Sequence, residues 1–308
     1  MKTKHSASSL LAFAVLACAL VPVARGADTL SIRKDAAAGT FAIFREGVET
    51  PLVTQVAKPD HRPYLHPITD PDGKGEFTEY SPGHHKHQTG LYWGFTRVNG
   101  RDYFHHPEGG YWKRVSAEVL AEKGDQVKWR TVYELLDDKG AAVLLETQTW
   151  MMQIGDGDNI LLDLEWNGKA VKGEVKFAKY NYGGMFLRMP WKNGIPAHAL
   201  NSEGDRDQAG EGKRAIWQDV GIQIKGLEGE GHMAIFDHPK NDGFPSMWRV
   251  DGQFGIGPCR ARQGDWSIAA GKDTTFRHRL VVYEGEADAK KLNEQWSAWS
   301  GQKLPEKK

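Results

Sequence analysis

A chain of 308 residues with 40 basic and 40 acidic side chains has a formal net charge of zero. That balance excludes the basic stripe of a nucleic-acid binder and the cationic patch that fastens a protein to an anionic membrane. Eleven tryptophans supply either core volume or flat platforms for a ligand.

Residues 1–26 read as a secretory leader. Lys2 and Lys4 form a basic start, residues 9–23 are apolar, and Ala24-Arg25-Gly26 puts small residues at the cleavage positions. The expectation is an exported protein, periplasmic or secreted, that begins at Ala27. A lipid anchor at Cys18 is the weaker alternative, because residues 19–23 stay apolar after it. No later apolar run is long enough to span a bilayer. Cys259 is then the one cysteine left, so no disulfide forms within the mature chain. Residues 27–302 are expected to form one domain and 303–308 a disordered tail.

The first polar concentration is Arg62-Pro63-Tyr64-Leu65-His66-Pro67, held extended by its prolines. Gly83-His84-His85-Lys86-His87-Gln88-Thr89-Gly90 follows, with three histidines in four positions, and His105 and His106 lie further on. Imidazole ligates metals and moves protons near neutral pH. On an extended chain His85 and His87 share one side and His84 faces away. With His66 from a neighbouring strand they make a three-nitrogen set, suited to a zinc-like divalent metal with one open position. The same residues can instead act as acid, base or hydrogen-bond partner.

Period-two patterns dominate after residue 115. They run through 127–133, 143–154 and 160–166, with later candidates at 175–180, 216–224, 232–236 and 276–283. Gly155-Asp156-Gly157-Asp158-Asn159 reads as a hairpin turn; it lacks the continuation of a calcium loop. The stretch 196–213 reads as a polar surface loop. Strands at this spacing without intervening helices predict an all-β fold, a large antiparallel β-sandwich. One helix is predicted over 288–299, with Leu292, Trp296 and Trp299 on one face.

Two further regions gather polar groups. In Tyr180-Asn181-Tyr182-Gly183-Gly184-Met185-Phe186-Leu187-Arg188 the paired glycines permit close backbone approach to a ligand, and Arg188 offers forked donors. In Asp237-His238-Pro239-Lys240-Asn241, followed by Pro245 and Trp248, Asp237 is placed to orient His238. No nucleophile elbow, phosphate loop, dinucleotide fingerprint or HExxH helix is present.

These regions resemble the PmoA-like family, labelled after methane oxygenase. The resemblance rests on Arg62-Pro63-Tyr64-Leu65-His66-Pro67, His85-Lys86-His87 with Gly90-Leu91-Tyr92-Trp93, and Val98-Asn99-Gly100-Arg101-Asp102-Tyr103-Phe104. It continues in Arg214-Ala215-Ile216-Trp217-Gln218-Asp219 and in residues 237–248. It implies a sandwich similar in outline to the aldose epimerases, exported by carbohydrate-degrading bacteria. The family's histidine stretch is usually flanked by an acid; here the flanks are His84 and Gln88, so the acidic partner is missing.

The resulting expectation is a carbohydrate-active enzyme using histidine acid–base chemistry, as epimerase, lyase or hydrolase. His85, His87 and His238 would be catalytic. Arg62, His66, Trp93, Tyr182, Arg188, Asn241 and Trp248 would bind the sugar. The alternatives are a non-catalytic sugar-binding module, and a soluble metal-dependent oxidoreductase with its metal on His66, His85 and His87.

Overall fold

A computed structural model describes residues 29–83 and 85–304. The leader, with Cys18, and His84 lie outside these residues, as does most of the tail expected at 303–308. In chain order the strands are β1 (Leu30–Asp35), β2 (Thr40–Arg45), β3 (Val53–Val56), β4 (Tyr64–Ile68), β5 (Leu91–Gly94), β6 (Trp112–Ala121), β7 (Lys123–Gly124), β8 (Gln126–Leu136), β9 (Ala142–Ile154) and β10 (Ile160–Ala170). They continue as β11 (Val175–Phe177), β12 (Gly184–Leu187), β13 (Ala197–Asn201), β14 (Trp217–Gln223), β15 (Glu230–Asp237), β16 (Met247–Val250), β17 (Ile256–Cys259), β18 (Trp266–Ile268) and β19 (Asp273–Glu284). One helix, α1 (Ala289–Ser300), follows.

Two antiparallel sheets carry the fold, as the sequence predicts. The first runs β16-β17-β12-β5-β4-β3-β2-β1-β7 and the second β13-β14-β15-β19-β10-β9-β8-β6. A small pair, β11 with β18, stands beside them. The second sheet is built from the periodic segments. Val127, Trp129, Thr131 and Tyr133 of β8 are buried, and so are Ile160, Leu162, Leu164 and Trp166 of β10, while their neighbours face outward. Alternation of this kind follows from a pleat with one face against a core. Residues 155–159 make the β9–β10 hairpin, closed by Gly155 N–H to Asn159 O at 2.8 Å.

Tryptophan fills the space between the sheets. Trp93 of β5 stacks on Trp166 of β10 with ring centroids 4.8 Å apart, tying one sheet to the other. Glu146 and Gln148 complete this layer, with Trp166 Nε1 donating to Glu146 Oε2 at 2.7 Å.

The helix lies where its apolar spacing predicts. Asp288 caps it, accepting from the backbone N–H groups of Lys290 and Lys291. Gly301 ends it at φ 68°, a left-handed conformation glycine adopts without strain. Leu292 and Trp296 bury against Trp217, Phe236 and Val281 on the outer face of the second sheet.

One segment departs from expectation. The stretch read as a loop, 196–213, holds strand β13, which pairs along β14 at the edge of the second sheet. Asn201 is buried there, not on the surface: its side chain accepts from Glu203 N–H and Asp205 N–H and folds the following turn.

Candidate functional site

Strand pleating divides the first sheet into a core face and an outer face. Leu91 and Trp93 point into the sandwich; Tyr92 points out. Register lines Val56, Tyr64, Tyr92 and Phe186 into one outward row across β3, β4, β5 and β12. Arg249 of β16 extends this face. Two loops, 83–90 and 102–106, cross over it; the second brings Phe104 onto the row, where Tyr182, from the segment before β12, packs beside it. Between loops and sheet lies a cleft of about 90 Å³. His85, His87, Gln88 and His105 wall it on the loop side; Tyr182, Phe186, Arg249 and Asp251 face them.

The histidine segment is a turn, not the extended chain predicted. His85 N–H donates to Pro82 O at 2.8 Å and Gln88 N–H to His85 O at 2.9 Å. Gly90, at φ 74°, lets the chain rejoin the sheet; a Cβ there would lie 2.5 Å from Leu65 O. Both His85 and His87 still reach the cleft, with ring centroids 5.8 Å apart.

Arg62 ties the two loops together. Its side chain is wholly buried, donates to the carbonyls of His87 and Phe104, and lies 3.7 Å over the Tyr92 ring. Burial lowers its pKa to about 10, which leaves it charged. Expected to bind ligand, it instead braces the site from behind. The 102–106 loop lies so close to β5 that a Cβ on Gly94 would sit 3.0 Å from Tyr103 O.

His105 stands at the centre. Its Nδ1 is 2.7 Å from Asp102 Oδ2, while Asp102 Oδ1 accepts from the N–H groups of Phe104 and His105. Burial raises the Asp102 pKa, but the hydrogen bonds from His105 and Phe104 outweigh it and hold the carboxyl below its ordinary value. A carboxylate on Nδ1 fixes the tautomer with its proton there and leaves the Nε2 lone pair for chemistry. That Nε2 lies 3.3 Å from the Tyr182 hydroxyl. Burial and Tyr180 push the Tyr182 phenol up, so it remains a donor. The His87 ring sits 4.5 Å from His105; burial, then His105, Arg62 and His85, lower its pKa to about 3 and keep it neutral.

One polar atom of the cleft wall, and others buried behind it, are short of hydrogen-bond partners. Gln88 Oε1, Tyr92 Oη and Arg188 Nε and Nη1 are buried without one among the described residues. Buried polar atoms take a partner from protein, water or ligand. Asp251 is held by the N–H groups of Gln253 and Gly255, with Arg188 Nη1 at 3.7 Å.

The sequence picks out His85, His87 and Tyr182, which meet at the cleft. It misses His105, Asp102, Arg249 and Asp251. Asp102 and His105 have a sequence signal, an acid three residues before a histidine; the acidic partner thought missing comes from this second loop. The other expected site residues lie elsewhere. Trp93 and Trp248 are core residues, Trp248 Nε1 donating to Ala215 O. Arg188 is buried between Glu79, Asp251 and Gln253. A Cβ on Gly183 would meet Phe95, and one on Gly184 would lie 3.2 Å from Pro258 O, so the paired glycines admit neighbouring strands. His66 occupies another bay, with Nδ1 3.0 Å from Thr78 Oγ1 and Nε2 3.6 Å from Glu76; burial lowers its pKa to about 4. It does not converge with His85 and His87, so the expected three-nitrogen set does not form among the described residues. His238 stands on the outer face of the second sheet against Trp299, far from the cluster in the fold. Asp237 turns from it toward Asn241 and Ser246, and Asn241 is buried against the backbone of Arg277.

A family model described as a family of unknown function, DUF6807, matches residues 49–297. The chain belongs to the DUF6807 family. This replaces the PmoA-like assignment, a name the match does not carry. No curated protein sequence matches the DUF6807 chain. Among solved structures, it is similar to an α-galactosidase from Lactobacillus brevis at 12% identity and TM-score 0.36, covering 88% of this chain and 40% of that one. It is also similar to a galactose 1-epimerase from Lactobacillus acidophilus NCFM at 8% identity and TM-score 0.39, covering 84% of this chain and 99% of that one. A galactose mutarotase related enzyme from Lactobacillus acidophilus matches at 9% identity and TM-score 0.32, covering 84% of this chain and 100% of that one. At such scores, what those proteins do says nothing of this chain's chemistry.

Proposed function

We propose that this DUF6807 protein is a carbohydrate-active enzyme that moves a proton on a sugar or keto-sugar, with His105 as the base. The observation that carries the reading is the Asp102–His105–Tyr182 chain. It places an imidazole lone pair beside a phenolic donor at the wall of a polar cleft. A base within hydrogen-bond reach of an acid is the arrangement general acid–base catalysis needs. Tyr182 and the neutral His87 are the candidates to return the proton.

The cleft chemistry supports a polyhydroxylated ligand. Phe104, Phe186 and Tyr182 offer apolar faces; Arg249, Asp251 and Gln88 offer donors and acceptors to hydroxyls. Its small volume, well below the ~300–1,000 Å³ of drug-sized sites, admits part of a sugar and leaves the remainder outside. Asp251 is the one carboxylate in the lining among the described residues, and Asp102 is engaged with His105. Hydrolysis by two opposed carboxylates therefore has less support than epimerisation or β-elimination.

The test is proton exchange. Aldoses, uronic acids and keto-sugars are incubated with the protein in D2O and followed by NMR. The expected result is deuterium at one carbon or a changed anomeric ratio, lost in His105→Ala while the sugar still binds. Binding without exchange or product would leave a non-catalytic sugar-binding module; no binding at all would end the sugar reading.

A further inference from the structure

The second sheet carries a separate cluster that the cleft does not use. His198, Glu230 and His232 offer ligand atoms within 4.8 Å of one another. They lie on β13 and β15, the strands flanking β14, on the face that also carries α1. Register explains how they meet. His198 is opposite Gly221 of β14, and Gly221 is opposite His232 of β15. Side chains two strands apart start about 9.5 Å apart. Gly221 has no side chain between them, and the rings close to 5.4 Å over it. A Cβ on Gly221 would lie 2.3 Å from His232 Cε1. Glu230 is two residues before His232 on one strand and so shares its face.

His232 is oriented like a metal ligand. It is fully buried and stacked on Tyr283 at 4.8 Å. Its Nδ1 lies 2.9 Å from Asp219 Oδ2, and Asp219 Oδ1 accepts from the Tyr283 hydroxyl at 3.0 Å. A carboxylate holding one ring nitrogen turns the other toward a metal and raises its basicity. The other nitrogen, Nε2, has no hydrogen-bond partner among the described residues and stands 3.6 Å from Glu230 Oε2. Glu230 Oε2 is likewise 3.6 Å from His198 Nδ1. Donors around a tetrahedral zinc are roughly 3.3 Å apart, given metal–ligand bonds of about 2.0–2.2 Å.

We propose that His198 Nδ1, Glu230 Oε2 and His232 Nε2 bind a divalent transition metal of the zinc type, with Asp219 supporting His232. Two imidazoles and a carboxylate leave the fourth place of a tetrahedral ion for water. His198 and Glu230 are each about a third exposed, so solvent reaches that position. The metal would also pin edge strand β13 to β15 across the glycine of β14. This site is independent of the histidine cleft on the other sheet.

The experiment titrates the EDTA-stripped, dialysed chain with Zn2+ against a chromophoric chelator, and records the visible spectrum with Co2+. The expected result is one ion per chain, with the intense d–d bands of a four-coordinate cobalt site. His198→Ala and Glu230→Gln, both at partly exposed positions, should abolish stoichiometric binding while keeping the circular dichroism of the fold. Asp219→Asn should weaken it ~10–100-fold. The double variant His85→Ala, His87→Ala should bind as the parent does. Failure of the parent chain to bind, as when His232 is an imidazolium between Asp219 and Glu230, overturns the proposal. So does binding that survives both ligand replacements, or binding lost with His85 and His87.

Discussion

Asp102 Oδ2 holds the Nδ1 of His105 at 2.7 Å, and the same carboxylate accepts the two backbone N–H groups that shape the loop. One side chain therefore sets both the tautomer of the imidazole and the path of the chain that carries it. Asp102→Asn keeps the size but can present an N–H to Nδ1, which flips the proton to Nε2. Turnover should fall about 10²–10⁴-fold, the usual worth of a positioned base, with ligand binding little changed. Nitrogen-15 shifts of the His105 ring report the tautomer directly. Unchanged shifts together with unchanged turnover would remove His105 from its role.

Tyr182→Phe tests the other end of that chain. It removes the hydroxyl 3.3 Å from His105 Nε2 and keeps the ring against Phe104. Stability should change by no more than about 1 kcal/mol, the net worth of one hydrogen bond. The effect on kcat should be far larger than on the melting temperature, and pH–rate profiles compare the two proteins.

Arg62→Lys probes the brace behind the site. A single ammonium cannot hold the carbonyls of His87 and Phe104 and also lie flat on Tyr92. Losing one charged hydrogen bond should cost about 1.5–3 kcal/mol in denaturant unfolding. Sugar binding should weaken as well, although Arg62 does not line the cleft. Isothermal titration measures that loss.

Acid should destabilise the fold through its neutral histidines. Burial lowers His278 to about 3, His66 to about 4, and, with His105, Arg62 and His85, His87 to about 3, against an ordinary 6.5. Between those values the unfolded chain binds more protons than the folded one. The stabilising contribution is full above pH 6.5 and is lost as pH falls, through about 4 for His66 and about 3 for His87 and His278. Urea midpoints should be flat for these groups from pH 7 to 8 and fall below 6.5. His66→Gln should shallow that fall.

Gly221→Ala places a methyl in the gap between His198 and His232. Overpacking of this kind costs about 1–3 kcal/mol. Thermal unfolding should show that loss, and zinc titration should show weaker binding than in the parent.

How far these features were legible depended on the strand. In β8, β9 and β10 one face is core and the other is wet, so alternation marks both the element and its inward residues. In β5 all four residues are buried, because loops 83–90 and 102–106 cover the outer face. No alternation survives there. Nothing in Leu91-Tyr92-Trp93-Gly94 tells which aromatic faces the core, and Trp93 reads as a ligand platform when Tyr92 is the outward one. Strand β13 is five residues long in a polar stretch, too short for a pattern, and so His198 went unmarked. His105 was visible as a residue but not as a centre, since only tertiary folding sets it against His87 and Tyr182. The capped helix, by contrast, needed only its own sequence.

The stacked Trp93 and Trp166 bear on traffic as well as on stability. With tryptophan occupying the space between the sheets, the His105 cleft is mounted on the outside of the sandwich, under two surface loops. On the proposed function, a sugar would arrive and leave by the same open side, without threading a tunnel and without the sheets parting. A long saccharide could present its terminal unit to His105 while the remainder stays in solution, so chain length should matter little to the rate. Turnover should then be governed by the chemical step or by the loops, and be insensitive to anything that stiffens the core.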